Sequence, residues 1–462
     1  MSPLLLTEKK YRQALFFLSF TQLWESFSFY GMRVLLVLYL VSHLAYTEND
    51  AFAVYALYTS LIELGAFIGG YCADRFFGLR SAVFLGGIFI CLGHLCLTFS
   101  NSASLFFLGL SFIICGASLF RSNLKALVGL LYKEDHSKCE SGFTLFYTCT
   151  NIGGFAAALL CGYAVQLYGW SMGLGLAAVG MLISMIVFFT HFHFVQTAEK
   201  ITIYFKAIPL IFCACLACSQ LLIHFTLMQS LMLPLTSSVL IGLLIYLHRQ
   251  IELKSLLLLA GLLVLLIFYF TVEELMGSLL MIFCEKHVDR LIWGFEIPST
   301  TLAATNPLTI IIMGPILTYV LECLSLRLSF RFALIYICLA FACGFLYLAI
   351  SNGHPTALQV MISFAAIAMG ELLLVPIVYA ACSQLGSDRN KGVMMATVAL
   401  AFALASLFSG HVSQYAYQTQ KNGVADLAFQ ITLVSTFIFI LFILYHQFSF
   451  RLQGFYAKFI TN

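Results

Sequence analysis

Fourteen apolar stretches recur along the 462 residues, near 14–43, 51–73, 81–99, 104–131, 142–166, 172–195, 205–226, 232–247, 255–284, 304–323, 331–350, 357–384, 393–415 and 426–448. Most approach or exceed the roughly 20 residues that a helix needs to cross a hydrocarbon core. No water is available there for backbone N–H and C=O groups, so a spanning segment must satisfy them as a helix or within a closed barrel. Segments of this length are helices. The expected fold is an all-α polytopic membrane protein with fourteen transmembrane helices. Hydrophobic residues make up 61% of the chain and charged residues 9%, too little polar surface to coat a soluble domain of this size.

The basic residues fix an orientation. With Lys9, Lys10 and Arg12 placed in the cytoplasm, fourteen spans put seventeen Lys and Arg on the inner side. These include Arg75, Arg80, Lys133, Lys138, Lys200, Lys206, Arg249, Lys254, Arg327, Arg331, Arg389, Lys391, Arg451 and Lys458, against Lys286, Arg290 and Lys421 outside. Removing or adding one span would scramble this asymmetry. Both termini are then cytoplasmic, and the net charge of +3 reflects membrane orientation, not nucleic-acid binding. The first segment is too long for a cleaved signal peptide, and no small-residue cleavage site follows a short apolar core. The cysteines sit mostly inside apolar runs without metal-ligand spacing and read as small hydrophobes, and His94 and His224 read as packing or interfacial residues. No cofactor or metal is called for.

Residues 200–254 supply two extra helices between a six-helix half at 1–199 and another at 255–462. A six-plus-two-plus-six order suggests two bundles rocking about a site at the midplane, the alternating-access plan of the major facilitator fold. The stretch GGYCADRFFGLR after the second span sharpens this reading. Asp74, Arg75 and Arg80 flank a glycine-permitted turn and can latch neighbouring helices in one state while releasing them in another. A simple positive-inside anchor is the plainer alternative.

Function is expected inside the first span, where residues 22–33 read QLWESFSFYGMR. At 100° per residue, Gln22, Glu25, Ser26, Phe29 and Arg33 share one helix face over about 16 Å. Ionisable groups at membrane depth cost about 2.5–3.5 kcal/mol each, so they line water-filled paths or pair with other charges. A polar helix-packing patch is the alternative.

These stretches resemble the proton-dependent oligopeptide transporters (POT/PTR), in the bacterial form with two inserted helices. The opening stripe is similar to the family's Glu-x-x-Glu-Arg-Phe-x-Tyr-Tyr-Gly, GGYCADRFFGLR to its first signature, and FYTCTNIGGF at 146–155, centred on Asn151, to its second. The resemblance continues through EELMGSLL at 273–280, HVDRLIWGFEIP at 287–298, Asn306-Pro307, Glu371, Pro376 and KGVMMA at 391–396. It implies proton-coupled symport of di- and tripeptides across a bacterial inner membrane by a monomer, with peptide and protons as partners. Arg121 stands at the family's fourth-span lysine, with Lys125 one turn on, and Glu371 matches the glutamate that binds the peptide amine. Arg33 matches the arginine that closes the outer gate against Glu274 or its neighbour Glu273. Two cross-bundle pairs, Arg33 with Glu274 and Arg121 with Glu371, are expected to make and break as the cavity alternates. Tyr30, Tyr55 and Tyr58 are expected as hydrogen-bonding walls beside Asn151 and Asn306.

Several positions depart from the family. Gln22 replaces a glutamate, Ser26 an arginine and Glu63 a tyrosine. Val375 replaces a serine, Val398 and Ala399 a Trp-Phe pair, and Ala66 and Ser122 stand where proline is frequent. Five deep carboxylates (Glu25, Glu63, Glu273, Glu274, Glu371) face three cations (Arg33, Arg121, Lys125), so at least one carboxylate should lack a partner and take up a proton. Proton coupling is expected through Glu274 or Glu63, with Glu25 and Glu273 in the same set. Without a bidentate donor at position 26, the alternative is transport of another amphoteric or anionic solute, with or without protons. A non-transporting sensor would want a larger soluble tail. No nucleophile–base set or phosphate-binding glycine loop marks an enzyme.

Overall fold

The computed structural model describes residues 8–100, 102–132, 139–191, 207–324, 327–385, 391–418 and 423–460. Lys133, Lys138, Lys200, Lys206, Arg389 and Lys421, used above for orientation, lie outside them, as does the 199/200 boundary. Helix dominates throughout. The first six helices are α1 (Glu8–Ser42), α2 (Glu48–Cys72), α3 (Leu79–Thr98), α4 (Ala103–Leu131), α5 (Cys139–Tyr168) and α6 (Trp170–His191). Two more follow, α7 (Ala207–Ile223) and α8 (Phe225–His248). The last group is α9 (Leu253–Glu274), α10 (Leu279–His287), α11 (Ser299–Ala303), α12 (Thr305–Leu324), α13 (Leu328–Ser351), α14 (Ala357–Leu385), α15 (Lys391–Gln418) and α16 (Gly423–Ile460). Among the described residues thirteen helical stretches are long and apolar enough to cross a membrane. Pro209–Ile223 within α7 is a shorter apolar helix and occupies the seventh expected span. In this count α9 with α10, and α11 with α12, each make one broken crossing.

Local chemistry explains several ends. Thr47 caps α2 by accepting the Asp50 N–H at 3.2 Å, and Glu48 and Asp50 place negative charge in the first turn, where the helix dipole favours it. Ser102 caps α4 in the same way. After α2 a π-helical turn, Ala73–Phe77, runs into Gly78, whose φ of 73° lets the chain reverse into α3. Asp74 and Arg75 on this turn are exposed and form no ion pair among the described residues, whereas Arg80 is buried at the start of α3.

In the first bundle α1 packs on α5 and α6, and α4 on α2 and α3. Gly153 of the FYTCTNIGGF stretch shows why small residues are needed. A Cβ there would stand 2.2 Å from the Leu23 carbonyl of α1, and close backbone approach of this kind drives helix association where lipid offers no hydrophobic gain. In the second bundle α13 packs on α14 and α16, α12 on α14, and α15 on α9. Of the two inserted helices, α7 leans on α4, and α8 on α15 and α2.

The bundles meet along α2 with α15, α5 with α11 and α12, and α1 with α10. A two-stranded hairpin, β1 (Leu291–Ile292) and β2 (Phe295–Glu296), tops α10. Gln166 at the end of α5 donates to its Glu296 carbonyl at 3.1 Å, Lys286 of α10 pairs with Glu48 of α2, and Gln414 of α15 donates to Asn49 O at 3.0 Å. These cross-bundle ties lie at the end carrying the hairpin, opposite the end carrying Asp74.

Candidate functional site

On α1, Gln22, Glu25, Ser26 and Arg33 face inward as the stripe predicts. Gln22 donates to Glu25 Oε2 at 2.9 Å and to Ser26 Oγ at 2.8 Å. Glu25, 2% exposed, takes an ion pair from Arg121 of α4, with Nε 3.2 Å from Oε1. The guanidinium also lies 4.1 Å from the centroid of the Phe29 ring, a favourable cation–π position. Arg121 is therefore held within the first bundle and is not paired with Glu371 in this structure. The physical reason is proximity: the Glu25 carboxylate lies on the adjacent helix of the same bundle.

Among the described residues one ionic contact does cross the interface at this depth. Arg33 Nη2 stands 2.5 Å from Glu274 Oε2, and the Tyr55 hydroxyl of α2 accepts from Arg33 Nε at 3.0 Å and donates to Glu274 Oε2 at 3.1 Å. All three partners are thereby locked together. The carboxylate is supplied where its crossing breaks: α9 ends at Glu274, a 3₁₀ turn covers Leu275–Gly277, and α10 restarts after Ser278. Gly277 makes room for this triad, since a Cβ there would lie 2.0 Å from the Tyr55 hydroxyl.

Beside the triad lies a cavity of about 140 Å³ between the bundles. Tyr30, Arg33, Tyr55, Tyr147, Thr150 and Asn151 line it from the first bundle, and Glu273, Asn306, Pro307 and Glu371 from the second. Glu371 Oε2 accepts from Asn306 Nδ2 at 3.2 Å. Asn151 donates to the Tyr147 carbonyl of its own helix at 2.9 Å. Glu273 makes no hydrogen bond or ion pair among the described residues, and the charges of Glu274, Glu371 and Arg33 all act on it.

Six of the expected substrate-contacting residues thus meet in one cavity: Tyr30, Arg33, Tyr55, Asn151, Asn306 and Glu371. Arg121 and Lys125 do not line it in this structure. Lys125 is exposed, and Glu63 on α2 lies within electrostatic reach of both Arg121 and Lys125 without touching either. Tyr58 is buried, its hydroxyl has no hydrogen-bond partner among the described residues, and it does not reach the cavity. Tyr147 and Thr150 were missed by the sequence reading. Their signal was present, because Tyr147, Asn151 and Gly154 recur at helical spacing on the face of α5 centred on Asn151.

Residues 80–427 match the POT family. The chain belongs to the POT family. Over 455 residues it is 27% identical to the peptide transporter YePEPT of Yersinia enterocolitica, covering 88% of each chain. It is 41% identical to the uncharacterized transporter YclF of Bacillus subtilis over 181 residues, 38% of this chain and 37% of that one. Among solved structures, a bacterial homologue of the human drug peptide transporters PepT1 and PepT2 superposes with a TM-score of 0.83 at 22% identity, covering 96% of this chain and 99% of that one. A POT family transporter in complex with 5-aminolevulinic acid gives 0.82 at 22% identity over 93% of this chain and 95% of that one. The fold is accordingly the major facilitator arrangement of two six-helix bundles with two inserted helices. This POT chain is a multi-pass membrane transporter, not an enzyme.

Proposed function

We propose that the protein is a proton-coupled symporter of di- and tripeptides, drawn here closed at the hairpin end. The observation that carries this reading is the Arg33–Tyr55–Glu274 triad. It joins the two bundles at a broken helix and borders a cavity with a carboxylate, Glu371, at its far wall. A proton on Glu274 removes the charge that holds Arg33 and lets the bundles part, so proton entry and opening toward the hairpin end become one event. The peptide amine is assigned to Glu371 and Asn306. Its carboxylate is assigned to Arg121 and Lys125, reached when the cavity deepens and Arg121 exchanges Glu25 for the ligand or for Glu371. Glu25 and Glu63 then hold the cations while the site is empty.

The hairpin end is assigned to the outside of a bacterial inner membrane and both termini to the cytoplasm, in line with the charge asymmetry. The domains are taken as 1–199, 200–254 and 255–462, acting in one monomer. The test is counterflow of labelled dialanine in proteoliposomes, repeated with an inward proton gradient. Acceleration by the gradient is the expected result; counterflow indifferent to it makes the protein a facilitator.

A second reading, transport of another amphoteric solute, draws support from Ser26, whose hydroxyl is fully buried and already engaged by Gln22. Ser26 does not line the cavity and carries no positive charge to meet a carboxylate there. Absence of dialanine counterflow, with exchange of 5-aminolevulinic acid, would favour this reading.

A further inference from the structure

The cavity holds more negative charge than a zwitterionic peptide needs. Its one cationic lining residue, Arg33, is already engaged by Glu274 and Tyr55. Two carboxylates remain on the wall. Glu371 has an amide donor from Asn306, and Glu273 has no hydrogen-bond or ion-pair partner among the described residues. Glu273 also sits in the last turn of α9, one residue before the helix ends, where the helix dipole favours a positive charge. Glu274, Glu273 and Glu371 against Arg33 leave two negative charges in excess when all are ionised. A dialanine zwitterion brings none to offset them, whereas a peptide with a basic side chain brings one.

We propose that Glu273 is a specificity-determining residue that receives a basic side chain of the transported peptide, so that lysyl and arginyl dipeptides are favoured over neutral ones. The inference rests on the peptide reading above and adds the substrate class. Glu371 takes the backbone amine, and Glu273, across the same cavity, takes the side-chain ammonium or guanidinium by a charge-assisted hydrogen bond.

The experiment is competition against counterflow of labelled dialanine in proteoliposomes, with unlabelled Ala-Ala, Ala-Lys and Ala-Glu as competitors. In the wild-type protein Ala-Lys should inhibit about tenfold more strongly than Ala-Ala, equivalent to about 1.4 kcal/mol, and Ala-Glu should be weakest. Glu273→Gln should bring the Ala-Lys to Ala-Ala ratio near one, and Glu273→Asp should retain part of it. Glu252→Gln, which alters an exposed carboxylate at the start of α9 away from the cavity wall, should keep the ratio. Because each ratio compares two peptides on one preparation, a general loss of active protein cancels. An unchanged ratio in Glu273→Gln overturns the inference and leaves the peptide reading standing, and so does loss of the proton-gradient response with the ratio intact. If neither Ala-Ala nor Ala-Lys exchanges, or shifts thermal unfolding of the purified protein, the peptide reading fails and takes this inference with it.

Discussion

The two bundles handle buried charge in opposite ways. In the first, Glu25 and Glu63 face Arg33, Arg121 and Lys125, and the one close pair, Arg121 with Glu25, is internal. In the second, Glu273, Glu274 and Glu371 have no cation of their own at that depth, and Arg33 reaches across to Glu274. Backbone construction differs as well. Helices α1 and α4 run unbroken for 35 and 29 residues, and no proline lies between Pro3 and Pro209. The second bundle breaks at Leu275–Gly277 and again between α11 and α12, and carries Pro315 and Pro376 inside helices. A continuous bundle with one cation to spare can move as one body and lend that cation across the interface. A bundle with excess negative charge at a broken helix must borrow its counter-ion from the other body, which makes that contact a gate.

The largest effect should come from removing the borrowed pairing. Glu274→Gln should abolish proton-driven uphill uptake of dialanine while counterflow persists, because exchange needs no proton cycle; retained uphill uptake would show that another carboxylate couples. Next in size is a stability effect confined to the first bundle. Arg121→Ala strands the Glu25 carboxylate in a buried site and should cost about 3 to 5 kcal/mol, as for other broken buried pairs. Thermal unfolding in detergent measures this, and adding Glu25→Gln should recover much of the loss. If the double variant is no better than Arg121→Ala, Glu25 is not neutralised in the way described.

A smaller change is expected at the interface. Tyr55→Phe removes the hydroxyl that bridges Arg33 and Glu274 and should loosen the closed state by about 1 kcal/mol, the ordinary net worth of a hydrogen bond. The half-saturation constant for uptake from the hairpin side should then shift by about fivefold. The smallest effect belongs to the exposed pair at the hairpin end. Lys286→Ala should change transport by less than the equivalent of about 1 kcal/mol, and the difference should shrink as salt is raised. An effect as large as that of Glu274→Gln would mean that the gate lies at the rim, not at the triad.

Much of this architecture was legible in the chain itself. Most spans agree with the observed helices to within about six residues, because a helix in hydrocarbon satisfies its own backbone and so depends on local composition; the larger differences are at α8, which begins at Phe225 instead of 232, and α16, which runs to Ile460 instead of 448. Gln22, Glu25, Ser26 and Arg33 share a face for the same local reason. The resemblance to the family marked Asn151, Asn306 and Glu371, which the fold brings into one cavity. Tyr147 and Thr150 were not singled out, since in an apolar run an aromatic and a threonine carry no charge to flag them. The expected partner of Arg121 was Glu371, yet the structure shows Glu25, already paired on a neighbouring helix.

What the sequence by itself determined is therefore the succession of apolar helices and the presence of more carboxylates than cations at depth. Each follows from the energetics of single segments in a bilayer. Only the tertiary structure decided which charges touch. Glu273 and Glu274 are adjacent in sequence, but about 100° apart on the helix, so one meets Arg33 across the interface while the other faces the cavity without a partner among the described residues. That division depends on where α9 breaks and how α1 and α2 lie against it. Neither can be read from a single segment, because contacts between residues 241 positions apart are set by the packing of whole helices.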